Sequence, residues 1–393
     1  VSGVSKTNNP TLHYSNVNME NSEKNKQKQL AEQYRAEIAH QYDPETVRKT
    51  ERFFNFIVRN FFISEIKVTG ISNLRGVDED TPVILSSVHK SHLDYVVLGL
   101  ALVQNAFSCL PATIAGKNLF HGHFEKLLPQ LKGICLDRER VDPKNLRSKE
   151  NLLYLSTFYD YLTKEVIYNE AVTIYPEGGR SYSGKLLPLN LGIFGIAKRV
   201  LKETGGRVAI VPVGITYDRV TEDSRFMGLL KCKKRSDRAY RKYDKRGFIH
   251  HALLQPKGAV YIDLGEPLYL DNVKQMDVLE SELRIKMGEL IRVTPVSLVC
   301  RALENKKTAK LEDVLRHIRQ DLKYVKEHKL LIGRGIRYRT AGRIFARSLE
   351  HLANIVRFRD IIRISKKSGK HVIKVRREDV VNYYVNCVEH LFK

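Results

Sequence analysis

Short apolar runs rich in β-branched residues alternate with longer stretches of helical period across the middle of the chain. Strands are predicted at Glu65–Val68, Val83–Val88, Ala112–Ala115, Gly133–Leu136, Ala171–Tyr175, Arg207–Val213 and Ala259–Leu264. Runs of this length, bounded by Gly, Pro and polar clusters, suit buried strands. Lys149–Tyr168 and Ile193–Thr204 read as helices between them. This interleaving predicts an α/β fold, a mainly parallel sheet covered by helices, with functional residues at the carboxyl ends of strands.

The two flanks read differently. Val1–Met19 is polar and predicts a disordered tail, and Glu20–Tyr42 predicts a soluble helix at most. In Arg52-Phe53-Phe54-Asn55-Phe56-Ile57-Val58-Arg59-Asn60-Phe61-Phe62-Ile63, five phenylalanines sit among basic residues. That suits a basic amphipathic helix in a membrane interface, or equally a helix packed on its own domain. After Pro267 the strand signals fade, and Leu279–Ile291, Ser297–Leu303, Leu311–His328 and Gly342–Val356 read as helices. The expected divisions are a polar tail at 1–44, the aromatic helix at 45–64, an α/β domain at 65–270 and a helical C-terminal domain at 271–393.

Charge adds a partner to this picture. The 393 residues hold 67 Lys and Arg against 44 Asp and Glu, a formal charge of +23. Such an excess calls for an anionic partner: nucleic acid, an anionic membrane surface, or a phosphorylated or acidic substrate. Basic residues concentrate in Arg225–His251 and again in Arg363–Arg377. The first block is a solvated loop or a grip for anionic headgroups or an acidic carrier. Five cysteines stand far apart with no Cys-x-x-Cys, which argues against a disulfide framework or a zinc module. No signal peptide is expected, and no apolar run approaches the ~18 residues of a transmembrane helix.

Candidate chemistry lies at four predicted strand ends. In Val88-His89-Lys90-Ser91-His92-Leu93-Asp94, a strand delivers His89 and a helix opens near Asp94. A carboxylate five positions on can hold the imidazole in one tautomer across the turn. Taken alone, the pair is equally a helix-capping aspartate beside a stray histidine. The strand Ala171–Tyr175 runs into Pro176-Glu177-Gly178-Gly179-Arg180-Ser181. There Gly178 and Gly179 permit close backbone approach and Arg180 offers a fork suited to phosphate; the plain alternative is a glycine turn with a buried Glu–Arg pair. It is not a phosphate-cradling P-loop, for no Gly-Lys-Ser/Thr opens a helix. Ile114-Ala115-Gly116-Lys117 and Leu136-Asp137-Arg138-Glu139 add Lys117 and Arg138, each otherwise a solvated surface cation. In Ile210-Val211-Pro212-Val213, Pro212 predicts an edge, a bulge or a special bond.

Together these blocks resemble the glycerophospholipid acyltransferase superfamily. Its His-x4-Asp block precedes a Gly-containing block ending in arginine, then Glu-Gly-x-Arg, then a Val-Pro block. His89-Lys90-Ser91-His92-Leu93-Asp94-Tyr95, Gly179 and Thr294-Pro295-Val296-Ser297 look closest to the glycerol-3-phosphate and dihydroxyacetone-phosphate acyltransferase branch. Leu136-Asp137-Arg138-Glu139 leans toward the lysophosphatidate branch.

The resemblance implies a glycerol-3-phosphate O-acyltransferase of phospholipid biosynthesis. It would move a fatty acyl group from acyl-CoA or acyl carrier protein to the sn-1 hydroxyl of glycerol 3-phosphate. It implies His89 as general base, oriented by Asp94, with Lys117, Arg138, Glu177, Gly178, Gly179 and Arg180 binding the acceptor. No metal and no cofactor beyond the thioester co-substrate is implied. Lysophosphatidate and dihydroxyacetone phosphate are the alternative acceptors, and a basic nucleic-acid-binding protein is the remote one, so no nucleic acid is expected as partner. A peripheral position on an anionic membrane surface, at its cytoplasmic side, is expected from the lipid product.

Overall fold

The computed structural model describes residues 10–105, 110–168, 171–230, 257–337, 339–353, 360–367 and 369–393. Its strands are β1 (Ile63–Thr69), β2 (Val83–Ser87), β3 (Ala112–Gly116), β4 (Gly133–Leu136), β5 (Val172–Ile174), β6 (Val208–Tyr217), β7 (Gly258–Leu264) and β8 (Leu268–Leu270). They form one sheet ordered β1-β7-β6-β2-β5-β3-β4, with β8 paired to β6. Pairs among β6, β2, β5, β3 and β4 are parallel, so these five strands end on one edge. The β6–β7 and β6–β8 pairs are antiparallel. All five residues of β2 and all ten of β6 are buried, the unbroken burial expected of strands covered on both faces.

The helices up to the end of this sheet region are α1 (Pro10–Ile38), α2 (Pro44–Ile57), α3 (Ile71–Arg75), α4 (Asp94–Asn105), α5 (His123–Gln130), α6 (Lys149–Tyr168), α7 (Gly195–Thr204) and α8 (Asp223–Leu230). Helix α1 begins at Pro10, not near Glu20, so part of the expected disordered tail is helical; residues 1–9 lie outside the described residues. Its far end is tied down where Tyr34 meets Tyr154 of α6 edge-on at 5.3 Å and Ile38 is fully buried. Asp43 caps α2 by accepting from the Glu45 N–H at 3.1 Å. A π-helical turn, Val58–Phe62, follows α2. The five phenylalanines divide there: Phe54 and Phe62 pack on the core while Phe53, Phe56 and Phe61 are exposed.

Pro212 lies inside the sheet, opposite Ser86 of β2, and no cis peptide occurs among the described residues. Its carbonyl accepts from the Gly265 N–H at 2.9 Å, in the gap between β7 and β8. The missing proline N–H faces that same gap, where no ladder bond is required. Neither an edge strand nor a special bond is needed. Of the expected basic block Arg225–His251, the residues from 231 on lie outside the described residues.

Beyond β8 come α9 (Met276–Glu289), α10 (Pro295–Ala302), α11 (Leu311–Glu327), α12 (Ala341–Leu352) and α13 (Glu378–Val388). Thr294 and Ser297 form a reciprocal capping box at α10, the N-terminal signature of a fixed helix start. Helix α10 packs against α11, α12 and α13. A three-stranded antiparallel sheet accompanies these helices, ordered β10-β11-β9 and built from β9 (Thr308–Lys310), β10 (Ile362–Lys367) and β11 (Lys370–Val375). Its short, lysine-rich strands gave no apolar run to read.

Candidate active site

Strand β2 ends at Ser87, and the chain then turns sharply into α4. The turn is closed by one carboxylate. Asp94 Oδ2 accepts from the Lys90 and Ser91 backbone N–H groups at 2.6 and 2.9 Å and lies 2.9 Å from His89 Nδ1. Its Oδ1 accepts from the Tyr217 hydroxyl at 2.6 Å. Since Oδ2 faces donors only, His89 carries its proton on Nδ1 and presents a lone pair at Nε2. The Tyr95 hydroxyl lies 3.1 Å from that Nε2 and donates to it. His89 and Asp94 are both buried. Burial depresses the His89 pKa below its ordinary 6.5, outweighing the opposite pull of Asp94. The imidazole is therefore neutral and able to accept a proton near neutral pH.

The loop after β5 abuts this turn because β5 is the neighbour of β2. The Ser181 N–H donates to the His89 carbonyl at 3.0 Å, joining the two loops. Glu177 lies beneath, its Oε2 accepting from the His89 N–H and its Oε1 from the Leu187 N–H, both at 3.4 Å. Burial raises the Glu177 carboxyl to about 7, so it is part-protonated at neutral pH. Gly178 takes φ +67° with open space on its Cβ side, and Gly179 is buried. Arg180, also buried, stands 3.5 Å from Glu222 and donates to the Tyr182 hydroxyl at 3.2 Å.

Lys117 and Arg138 fall on the same sheet edge at greater distance. They follow β3 and β4, two and three strands from β2, or about 10 and 14 Å along the edge. Lys117 is exposed and paired with Glu37 and Asp137, while the exposed Arg138 lies against Gly116. The fold thus brings His89, Asp94, Glu177, Gly178, Gly179 and Arg180 together and leaves Lys117 and Arg138 at the margin.

Sequence reasoning missed the third wall. The last residue of β6, Tyr217, bonds Asp94, and the segment that follows supplies Glu222 to the base turn. Glu222 accepts from the Ser91 hydroxyl at 2.6 Å and from the His92 N–H at 2.9 Å. Tyr175 and Tyr95 enclose the His89 ring, with centroids 4.6 and 5.1 Å away. The polar run Thr216-Tyr217-Asp218-Arg219, closing a long apolar strand, was the available signal. Lys90 is buried and donates to the Gly184 carbonyl at 3.0 Å.

The arrangement offers a neutral base with a fixed tautomer, a buried guanidinium and a carboxyl poised near neutrality. No group of three metal-ligating side chains occurs among the described residues, and none of their helices is long and apolar enough to cross a membrane.

Comparison with known proteins agrees with this chemistry. A family model described as Acyltransferase matches residues 65–216. The chain is 30% identical over 239 residues to a glycerol-3-phosphate acyltransferase of Pseudomonas putida (strain W619), covering 60% of this chain and 27% of that protein. It is 28% identical over 244 residues to that of Pseudomonas aeruginosa (strain LESB58), covering 62% and 28%. It therefore spans little more than a quarter of these relatives' length. A crystal structure of the 1-acyl-sn-glycerophosphate (LPA) acyltransferase PlsC from Thermotoga maritima is 18% identical, with a TM-score of 0.36, covering 62% of this chain and 79% of that one; a likeness that loose carries no structural argument. The family match takes in His89, Asp94, Glu177 and Arg180, while Tyr217 and Glu222 lie just beyond it, and over residues 65–216 the chain is similar to the Acyltransferase family.

Proposed function

We propose that the chain transfers a fatty acyl group from a thioester, acyl-CoA or acyl carrier protein, to the sn-1 hydroxyl of glycerol 3-phosphate. One observation carries this reading: a buried His89–Asp94 pair with a single tautomer, 2.9 Å apart, beside the Arg180 loop. The acceptor hydroxyl takes the place of the Tyr95 hydroxyl at Nε2 and gives its proton to His89 as its oxygen attacks the thioester carbonyl. Asp94 stabilises the resulting imidazolium. The tetrahedral intermediate collapses with loss of the thiolate, which takes the proton back from Nε2. Base catalysis of this kind contributes about 10²–10⁴-fold.

Arg180 is assigned to the acceptor phosphate, since a buried guanidinium gives a strong, directional anion contact. Glu222 holds it in place until substrate arrives. Glu177, Gly178 and Gly179 shape the floor, and Lys117 and Arg138 extend the cationic edge toward groups lying across the strand ends. Attachment to the cytoplasmic side of an anionic membrane is assigned to α2 and the turn after it. There Phe53, Phe56 and Phe61 are exposed beside Arg48, Lys49, Arg52 and Arg59, the pairing of apolar and cationic side chains that interfacial segments use.

The test is to offer purified protein glycerol 3-phosphate, dihydroxyacetone phosphate and lysophosphatidate in parallel, with each thioester donor. Glycerol 3-phosphate is expected to be acylated fastest, and His89→Ala to lose that activity while its circular dichroism is kept. Preference for lysophosphatidate would replace the acceptor assignment, and normal turnover by His89→Ala would remove the base.

A further inference from the structure

The small antiparallel sheet β10-β11-β9 has one face turned to the core around Ile362 and Ile373, with Ile364, Lys366 and His371 of that face exposed toward the hairpin end, and the other face turned to solvent. Alternation along the strands sets Ile362 and Ile373, both fully buried, on the inner side. The same alternation sets Arg363, Ser365, Lys370, Val372 and Lys374 on the outer side, joined by Thr308 and Lys310 through the β9–β11 register. No acidic residue stands among these positions. Lys310, Arg363, Lys370 and Lys374 are exposed, and none of them has an ion-pair partner among the described residues.

Arg363 lies directly opposite Lys374 in the antiparallel register. Like charges so placed weaken a sheet, so the fold carries a repulsion that an anionic surface would relieve. The composition of the face selects among anionic partners. Three of the four cations are lysines, which attract diffuse charge well but lack the guanidinium fork. Protein interfaces are poor in lysine and anchored by aromatic side chains, and single-stranded nucleic acid needs aromatic stacking platforms. This face has no aromatic residue. A lysine-rich sheet surface without aromatic or acidic residues suits the diffuse negative charge of a lipid bilayer.

We propose that the outer face of this sheet docks on an anionic lipid bilayer, as a second contact apart from the aromatic helix α2. The proposal rests on the peripheral attachment read above. The test uses the full chain and sedimentation with phosphatidylcholine vesicles, with and without phosphatidylglycerol, at low salt. Neutralising all four cations (K310Q, R363Q, K370Q, K374Q) is expected to lower partitioning onto the anionic vesicles by about 10²–10³-fold, at about fivefold per cation. Partitioning onto neutral vesicles should not change.

The double variant R363Q/K374Q guards against misfolding, because it removes a repulsive pair. It is expected to melt no lower than the parent and to partition about 25-fold less. Parent-like partitioning by the quadruple variant overturns the proposal. If Phe53→Ser/Phe56→Ser abolishes binding meanwhile, the peripheral reading stands and only the sheet face is lost. A parent chain that ignores anionic vesicles sinks both. Loss of single-stranded RNA binding with vesicle binding retained would assign the face to nucleic acid and overturn it as well.

Discussion

Asp94 gathers four donors on two oxygens, three of them on Oδ2. A carboxylate so held cannot rotate, so the imidazole it orients cannot tautomerise without losing a charge-assisted bond. Asp94→Asn puts an amide among those donors and is expected to lower kcat by about 10²–10⁴-fold. Parent-like kcat in the substituted protein would contradict that role. Glu177 allows a thermodynamic test. Its folded pKa of about 7 lies above the ordinary 4.5, so the native state binds more protons than the unfolded chain between those values. Native stability contributed by this group is therefore full below 4.5 and is lost as pH rises toward 7. Glu177→Gln removes the ionisation. Its stability relative to the parent is expected to rise by roughly 3 kcal/mol across that window and then level off. Urea unfolding of both proteins from mildly acidic to neutral pH measures it, and a pH-independent difference would contradict the buried, raised carboxyl.

At the scale of elements, the site depends on a loop that is held from both sides. The stretch after β5 bonds to the base turn through Ser181 and rests on α13 at Gly184. Gly184 has φ +88°, and a Cβ there would lie 2.2 Å from the Tyr383 carbonyl oxygen. Nearby, the Asn386 side-chain amide donates to the Ser183 carbonyl at 2.8 Å and Lys185 pairs with Glu389 at 3.2 Å. Gly184→Ala thus meets both a left-handed backbone and a neighbouring main chain that cannot yield easily. A loss of about 2–3 kcal/mol is expected in urea unfolding, with the acceptor KM raised because the Arg180 loop shifts. A stability change below about 0.5 kcal/mol would show that the contact with α13 is loose. The double-glycine stretch was visible in the sequence, but its second support was not, because α13 begins nearly two hundred positions later.

For the whole molecule, contacts pass freely across position 271. Arg292, after α9, grips Asp263 of β7 through Nε at 2.7 Å and Nη2 at 2.5 Å. Met287 of α9 meets Ser86 of β2, and Tyr384 of α13 donates to Asp223 at the start of α8 at 2.8 Å. Apolar side chains of both parts belong to one buried cluster. The chain from β1 onward is expected to unfold in a single calorimetric transition, and two resolved transitions would contradict a shared core. The strands at 83, 112, 133, 172, 208 and 258 and the helix Lys149–Tyr168 were legible because apolar runs and helical period are local properties. So was the placing of His89, Glu177, Lys117 and Arg138 at strand ends. Sheet order was not local. It set β5 beside β2, making Arg180 a neighbour of His89 and leaving Lys117 and Arg138 at the margin. Only packing chose which phenylalanines face solvent, and only the tertiary structure brought Tyr217 and Glu222 to the base turn. Those two stand 123 to 131 positions from their partners in the chain. A periodicity read over a dozen residues says which stretches are strands and helices, while the closing of the site rests on hydrogen bonds that exist only once the sheet has been assembled.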